Sequence, residues 1–134
     1  MPKYGETSRS KLQTAHKDLQ RLFNAVIEQI DVSILTGKRS EEKQKALYPK
    51  FTRVKYPNSK HNQSPSQAID FAPYVNGAIS QNEEHYIYAA GVIMNEAHHL
   101  RIEVRWGGNW DRDEEVLSDQ KFRDLGHIEL VNPY

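Results

Sequence analysis

Apolar residues recur at steps of three and four positions from Ser8 to Ile30. They are Leu12, Ala15, Leu19, Leu22, Phe23, Val26, Ile27 and Ile30. This spacing places them on one face of an α-helix, which is the face that packs against a core. The pattern therefore predicts one long scaffold helix over residues 8–30, preceded by a loose, polar N-terminus over residues 1–7.

The rest of the chain mixes strand and helix signals. Four β-prone or alternating runs predict strands: residues 32–36, 68–73, 100–106 and 127–131. A second long helix is expected from Asn82 to His98, with Asn82 as its N-cap, and a short helix from Ser40 to about Tyr48. The predicted class is α+β, with a small, mostly antiparallel sheet packed with two long helices and one short helix.

Composition narrows the possible functions. The 134 residues are enough for one core, so residues 1–134 are expected to form a single domain. Eighteen acidic residues balance 18 basic ones, and this balance does not favour nucleic acid as a partner. The chain has no cysteine, which excludes disulfides and thiolate metal sites. No apolar run predicts a membrane span, and no signal peptide is apparent, so we expect synthesis as a cytosolic protein.

His61, Asp70 and His127 are the candidate metal ligands. Asp70 interrupts the apolar run 68–72, where an unpaired charge would be costly unless a metal or an ion pair compensates it. His127 opens the last apolar strand. His61 lies in a long, proline-containing loop over residues 49–67, and loops of this length are usually functional or mobile. Two histidines and one aspartate can fill three corners of a zinc tetrahedron and leave the fourth for water.

Each of these residues also has an ordinary structural interpretation. Asp70 is compatible with an edge-strand or capping aspartate, His61 with a solvated loop residue, and His127 with a hydrogen-bonded core histidine. The remaining histidines are expected on the surface: His16, His85, His98 and His99. Glu96 and His99 lie three apart on a predicted helix and form a weaker metal-site candidate.

Asp124 and Arg39 are the candidate catalytic residues. Asp124 precedes His127 by three positions, and a turn at Leu125-Gly126 would fold its carboxylate back beside the imidazole. It could then serve as general base to a zinc-bound water and as acid to a leaving amine. Arg39 follows a glycine turn, where it could stabilise an oxyanion or hold a substrate carboxylate. A loop aspartate and a solvated arginine are the alternatives.

Several of these stretches resemble the LAS group of zinc peptidases. That group includes VanY-type D-alanyl-D-alanine carboxypeptidases, VanX-type dipeptidases and the L-alanyl-D-glutamate peptidases used as bacteriophage endolysins. The matching stretches are Gly37-Lys38-Arg39, Ser59-Lys60-His61, Ala68–Tyr74, Asn76-Gly77, Arg105–Trp110 and Asp124–Leu130. The similarity is closest to the phage endolysins and extends from about residue 34 to residue 131.

The resemblance implies a zinc site in a cleft on the sheet, with His61, Asp70 and His127 as Zn²⁺ ligands. It implies that Asp124 is the catalytic carboxylate and Arg39 the transition-state arginine. The implied reaction is hydrolysis of the bond between L-alanine and D-glutamate in the peptidoglycan stem peptide. A D-alanyl-D-alanine carboxypeptidase of the same fold and a non-catalytic, metal-binding cell-wall module are the alternative interpretations.

Further expectations follow from the same resemblance. Ser59 and Trp110, within matching stretches, are the candidate substrate-binding residues. We expect a monomer without a separate cell-wall-binding domain, made in the host cytoplasm and delivered to the wall by a holin-type route. His61 and Asp70 are nine positions apart, two more than in the usual family pattern, so the loop between them is expected to carry an insertion. The acidic stretch 111–115 is typical of a solvated loop, with a calcium site as the alternative.

Overall fold

The computed structural model describes residues 2–114 and 123–133 of the chain. Within them the helices are α1 (Glu6–Leu12), α2 (Lys17–Val26), α3 (Glu41–Leu47) and α4 (Glu83–Leu100), and a 3-10 turn spans Lys60–Asn62. The strands are β1 (Val32–Thr36), β2 (Ala68–Val75), β3 (Ala78–Ile79), β4 (Val104–Gly107) and β5 (Asp124–Leu130). Helices and strands contribute to one hydrophobic core, which confirms the predicted α+β class.

The strands form an antiparallel sheet in the order β1-β2-β5-β4, and β3 pairs with β2 beside this path. Asn76 and Gly77 form the β2–β3 turn with φ values of 53° and 83°, as an Asn-Gly pair predicts. Because β2 and β5 are neighbours, residues from the middle and the end of the chain face each other. Asp70 in particular pairs with His127.

Strand alternation divides the sheet into an apolar face and a polar face. Ile69, Phe71 and Ile128 are almost completely buried. The ring of Phe71 lies 6.2 Å from that of Phe23 in α2 and 5.9 Å from that of Tyr86 in α4. Because successive side chains of a strand point to opposite faces, the residues between these apolar ones point away from the helices. The functional candidates of β2 and β5 therefore share the face opposite the core.

The predicted helix over residues 8–30 is wrong in its continuity, because the chain leaves the helical path between α1 and α2. His16 has a non-helical backbone, with φ −53° and ψ 145°, and its Nδ1 accepts a hydrogen bond of 3.0 Å from the Asp18 amide, which makes it the N-cap of α2. The Ser66 amide donates to the Thr14 carbonyl, and the His16 amide donates to the Ser66 carbonyl. This contact with a distant loop interrupts the helix, while the apolar spacing survives because both halves pack on the same core.

The interruption changes two expectations. Among the described residues α4 alone is long, with 18 residues, whereas α1, α2 and α3 have 7, 10 and 7. The predicted pair of long helices is therefore wrong. His16 is buried rather than exposed, since its capping position faces the Ser66 loop.

The composition of residues 1–7 predicted a loose N-terminus, and this prediction is wrong for the described residues. α1 begins at Glu6, and Tyr4 belongs to the buried core. The Tyr4 hydroxyl donates a hydrogen bond of 2.6 Å to the Phe23 carbonyl in α2. A buried aromatic ring with a satisfied hydroxyl therefore anchors this end of the chain.

Two element boundaries also differ from the prediction. α4 begins after its N-cap Asn82 as expected, but it continues to Leu100, and Arg101 then ends it in the left-handed region with φ 60°. The predicted strand 100–106 is therefore shortened to β4. The last strand begins at Asp124 rather than at His127.

Among the described residues, no helix is both long and apolar enough to cross a bilayer.

We expect Tyr4→Phe to lower the free energy of unfolding by about 1 kcal/mol, the usual contribution of one buried hydrogen bond. The ring would still fill its place in the core, and the Phe23 carbonyl would lose its donor. Urea unfolding followed by circular dichroism measures the difference. Tyr88→Phe, at a side chain that is 67% exposed, is the matched control and should stay within about 0.5 kcal/mol of the parent protein. Equal effects of both substitutions would show that the N-terminus is not anchored.

Candidate metal centre and active site

Three elements bring the predicted metal ligands together. Asp70 in β2 pairs with His127 in β5, and His61 reaches them from the 3-10 turn Lys60–Asn62. Ser59 caps this turn, because its hydroxyl accepts a hydrogen bond from the His61 amide. The three residues each offer one ligand atom, and these atoms lie within 4.8 Å of one another. The arrangement could hold a metal ion.

Asp70 is the centre of this arrangement. Its Oδ1 lies 3.2 Å from Nε2 of His61 and 3.1 Å from Nδ1 of His127. Its other oxygen, Oδ2, accepts a hydrogen bond of 3.3 Å from the Arg39 guanidinium. The two imidazole rings are 5.2 Å apart and nearly perpendicular. One carboxylate thus lies between two imidazoles and is oriented from behind by an arginine.

The chemistry of His61 fits a metal ligand. Its Nδ1 lies 2.7 Å from the Gly37 carbonyl, which can only accept, so Nδ1 carries the proton. The neutral ring then presents a lone pair at Nε2. This atom is buried and has no hydrogen-bond partner among the described residues, although the Asp70 carboxylate lies 3.2 Å away. Two electron-rich atoms at this distance favour a cation between them.

Glu129 is a member of the site to which the sequence analysis assigned no role. Its Oε1 lies 2.9 Å from Nε2 of His127, on the side of the ring away from Asp70. A carboxylate behind a ligating histidine fixes the ring orientation and raises the basicity of the ligand nitrogen. Strand alternation contained the signal, because residues 127 and 129 of one strand point to the same face.

The charges of the site are strongly coupled. Burial acts to raise the pKa of Asp70, but the contacts of its carboxylate with the His127 and His61 imidazoles outweigh burial and hold that pKa well below its ordinary value. Burial acts to lower the pKa of His127, whereas the hydrogen bonds to Asp70 and Glu129 raise it to about 9. For Glu129, hydrogen bonds from His127 and Arg105 overcome burial and lower the pKa to about 2. Two carboxylates therefore favour positive charge at His127, and a bound metal ion would replace its proton there.

Asp124 lies in the same cavity, but not by the predicted route. Trp106 of β4 pairs with Ile128, whereas the next residue, Gly107, pairs with Asp124. β5 therefore bulges over residues 125–127 rather than turning at Leu125-Gly126, and this bulge re-aims the Asp124 carboxylate. Gly107 permits this close approach, since a Cβ atom there would overlap the Asp124 backbone.

The surroundings of Asp124 favour its protonated form. Burial is the largest cause that raises its pKa, and the negative charge of Asp70 adds to it. His127, the Gly126 amide and His61 act in the opposite direction but do not compensate. A carboxylate with a raised pKa is a better proton acceptor than an ordinary surface aspartate. The cavity it lines has a volume of about 400 Å³ and also contains the three predicted metal ligands.

Comparison with known proteins gives this geometry a family. The model of the phage L-alanyl-D-glutamate peptidase family matches residues 1–131. The chain belongs to this family. The L-alanyl-D-glutamate peptidase of Escherichia phage T5 is 30% identical over 134 residues, which cover 96% of this chain and 98% of that protein. The crystal structure of the Serratia marcescens L-Ala D-Glu endopeptidase ChiX has the same fold, with a TM-score of 0.78 at 22% identity, covering 96% of this chain and 90% of that one.

Membership in the peptidase family confirms the resemblance to peptidases of the LAS group. His61 lies in the site, although the loop between it and Asp70 is longer than the resemblance predicts. Residues 63–65 are exposed, and below them the Gln67 amide donates to the Lys60 carbonyl at 3.0 Å. The Ser66 hydroxyl is buried, and its single hydrogen is within reach of the Ala68 carbonyl at 2.7 Å and the Gly37 carbonyl at 3.1 Å. Residues 63–65 thus lie at the surface while the chain on both sides of them is held in place.

The other predicted site residues of this peptidase also line the cavity. Arg39 has a side chain that is 12% exposed and is held by Gln44 Oε1 at 2.9 Å as well as by Asp70. The ring of Trp110 lies 5.4 Å from that of His127 and forms one wall. The contact seen for Ser59 is the cap of the His61 turn, and its contact with substrate stays a prediction.

The alternative metal candidates do not come together. Glu96 accepts a hydrogen bond from Gln29, and His99 is exposed, with its Nδ1 near the Asn95 carbonyl. Within residues 2–114 and 123–133, the group of His61, Asp70 and His127 is the single cluster with metal-site geometry. Part of the acidic stretch 111–115 lies outside the described residues, and its calcium interpretation stays a prediction.

We expect Asp124→Asn to stabilise the metal-free protein at neutral pH. In the folded chain the pKa of Asp124 is raised above its ordinary 3.8, so ionised Asp124 opposes folding. The gain in free energy of unfolding should be absent below pH 3.8, should grow as the pH rises through the folded-state pKa, and should be constant above it. Urea unfolding of chelator-treated protein from about pH 3 to about pH 8 measures this profile.

Glu28→Gln, which removes an exposed carboxylate, is the control and should leave the pH profile unchanged. A lower stability of Asp124→Asn at neutral pH would show that the ionised carboxylate is well compensated in the fold and would contradict the argument from burial.

Proposed function

We propose that this chain is a zinc-dependent L-alanyl-D-glutamate peptidase that cleaves the peptidoglycan stem peptide, as expected of a phage endolysin. The observation that carries the proposal is the convergence of His61, Asp70 and His127 on one point, where a buried imidazole nitrogen has no hydrogen-bond partner in the described part of the chain. Membership in the phage L-alanyl-D-glutamate peptidase family supplies the reaction class.

His61, Asp70 and His127 would hold the zinc ion through two imidazole nitrogens and one carboxylate. This ligand set is typical of catalytic zinc, which keeps a further position open for water or substrate. When bound, zinc supplies a water of lowered pKa and polarises the scissile carbonyl. The Gly37 carbonyl and the Glu129 carboxylate fix the two imidazole rings from behind.

Asp124 would move the proton. Its carboxylate lines the same cavity and has a raised pKa, so it can accept a proton from the attacking water. The same group can then return the proton to the amine of D-glutamate as the amide bond breaks. Arg39 would stabilise the negative charge that develops on the carbonyl oxygen, because its guanidinium is held at the cavity wall beside Asp70.

The remaining parts of the proposal concern partners and delivery. We infer a peptidoglycan substrate that enters the cavity with Ser59 and Trp110 at its walls. A monomeric state and delivery to the wall by a holin-type route stay predictions from the family resemblance. The position of the cleaved bond is also testable, because cleavage at L-alanyl-D-glutamate exposes a new D-glutamate amino terminus.

We expect purified protein to contain about one zinc ion per chain, and His127→Ala to lose it, because the substitution removes one of three ligands. Elemental analysis after dialysis measures the metal content. His98→Ala, which removes an exposed histidine of α4, is the matched control and should retain zinc. His61→Ala provides a second ligand variant. Parent-like zinc content in both ligand variants, with circular dichroism showing that they are folded, would exclude this site.

We expect Asp124→Ala to lower the rate of muropeptide cleavage about 10²- to 10⁴-fold, the usual contribution of a general acid–base group. Its zinc content should stay unchanged because Asp124 is not a ligand in the proposal. Mass spectrometry of digested walls identifies the new amino terminus, and the amount of product released over time gives the rate. Parent-like lysis by this variant would remove Asp124 from the mechanism, and products beginning with D-alanine would indicate a carboxypeptidase instead.

A further inference from the structure

Two cations meet one carboxylate at the edge of the cavity. Arg105 of β4 pairs in register with Glu129 and donates a hydrogen bond of 2.7 Å to its Oε2. Lys60 lies on the other side, with its Nζ 3.5 Å from the same oxygen and also donating to the Leu130 carbonyl. All three residues line the cavity. We call Lys60 and Arg105 the cation pair.

Arg105 is positioned more firmly than an ordinary surface arginine. Its guanidinium carbon lies 5.4 Å from the centre of the Trp110 ring, and that ring lies 5.4 Å from the ring of His127. Stacking of this kind reduces the freedom that an arginine loses on binding an anion. Its Nη1 also donates a hydrogen bond of 3.4 Å to the Trp110 carbonyl. The guanidinium is therefore held next to the candidate metal ligands, while part of the side chain stays exposed toward the cavity.

The charges around Glu129 do not balance. His127 is neutral when it binds a metal, so the single charge of Glu129 faces the two charges of the cation pair. The side chains of Lys60 and Arg105 remain 31% and 38% exposed, on the cavity side. Among the described residues that line the whole cavity, four cations face three carboxylates before any metal is added. The loaded cavity is therefore positive and suited to an anionic substrate.

The substrate in the proposed function carries a matching anion. A D-glutamyl residue acylated by L-alanine uses one carboxyl group to continue the peptide and keeps the other free. When the peptide continues through the side-chain carboxyl, the free α-carboxylate is on the carbon bonded to the scissile nitrogen. It must then lie beside the metal centre whenever the amide bond is in place for cleavage.

We propose that the cation pair Lys60 and Arg105 is the receptor for the free carboxylate of D-glutamate and makes the enzyme selective for the acid over its amide. This inference rests on the proposed function and names the groups that set its specificity. Guanidinium and ammonium groups form charge-assisted hydrogen bonds with a carboxylate, whereas a carboxamide lacks the charge and presents an NH₂ to these donors. The amide substrate is then disfavoured because it loses an attractive contact and leaves donors of Lys60 and Arg105 unpaired.

The test compares two peptides that differ in one group. N-acetyl-L-alanyl-γ-D-glutamyl-L-lysine carries the free α-carboxylate, and N-acetyl-L-alanyl-D-isoglutaminyl-L-lysine carries its amide. We expect the zinc-loaded parent protein to cleave the acid with a kcat/KM about 10- to 100-fold higher than its kcat/KM for the amide. This factor corresponds to one charge-assisted interaction. Arg105→Gln and Lys60→Met should each reduce this ratio, because cleavage of the acid should be slowed by a larger factor than cleavage of the amide. Arg105→Lys, which keeps the charge, should retain part of the preference.

Two outcomes would overturn the inference. The first is equal cleavage of both peptides by the parent protein. The second is a variant that slows both peptides by the same factor, since this would mean that the cation acts only through Glu129 and the orientation of His127. Arg21→Gln, which removes an arginine paired with Asp18 on α2, is the matched control and should leave the ratio unchanged.

Binding separates this inference from the proposed function. Titration calorimetry of zinc-loaded Asp124→Ala with each peptide requires no turnover. We expect tighter binding of the acid, and loss of this preference in Asp124→Ala combined with Arg105→Gln. If the parent protein cleaves neither peptide but this binding preference is seen, the proposed reaction fails and the carboxylate receptor stands. Equal binding of the two peptides overturns the receptor whatever the reaction is.

Discussion

The pairing of β2 with β5 is the interaction on which the rest of this structure depends. One register places Ile69 opposite Ile128 beneath the helices and Asp70 opposite His127 on the other face. A slip of one residue would turn the charged side chains into the core and the apolar ones toward the cavity. The geometry of the metal centre is therefore protected by the same apolar burial that stabilises the fold, and neither can change alone.

The third member of the metal centre is held differently. His61 lies outside the sheet, and polar contacts rather than strand pairing fix its position. Gln44, fully buried in α3, accepts from Arg39 and donates to the Val54 carbonyl, while Asn62 donates to the Arg39 carbonyl. This network joins α3, the long loop and the His61 turn. Buried polar networks specify one arrangement only when all their members are hydrogen-bonded. The position of His61 therefore depends on the whole network being formed.

In the proposed function, Glu129 would link metal binding to the recognition of substrate. The same carboxylate accepts from His127 through one oxygen and from Arg105 through the other. Because one carboxylate contacts both His127 and Arg105, it keeps the metal-ligand candidate and the anion-binding group at a constant separation. In the proposed reaction this places the substrate carboxylate relative to the bond that is cleaved, and positioning of this kind contributes substantially to rate.

The sequence by itself determined the features that depend on neighbouring residues. The cap at Asn82 and the apolar faces of the helices could be predicted because their causes are local, and the ligand types followed from a charge within an apolar run. Tertiary structure decided the rest. The helix break at His16 comes from a loop fifty positions away, and the bulge that aims Asp124 comes from the strand beside it. The contact of Glu129 with Arg105 also depends on strand pairing, since long-range contacts are invisible to local periodicity.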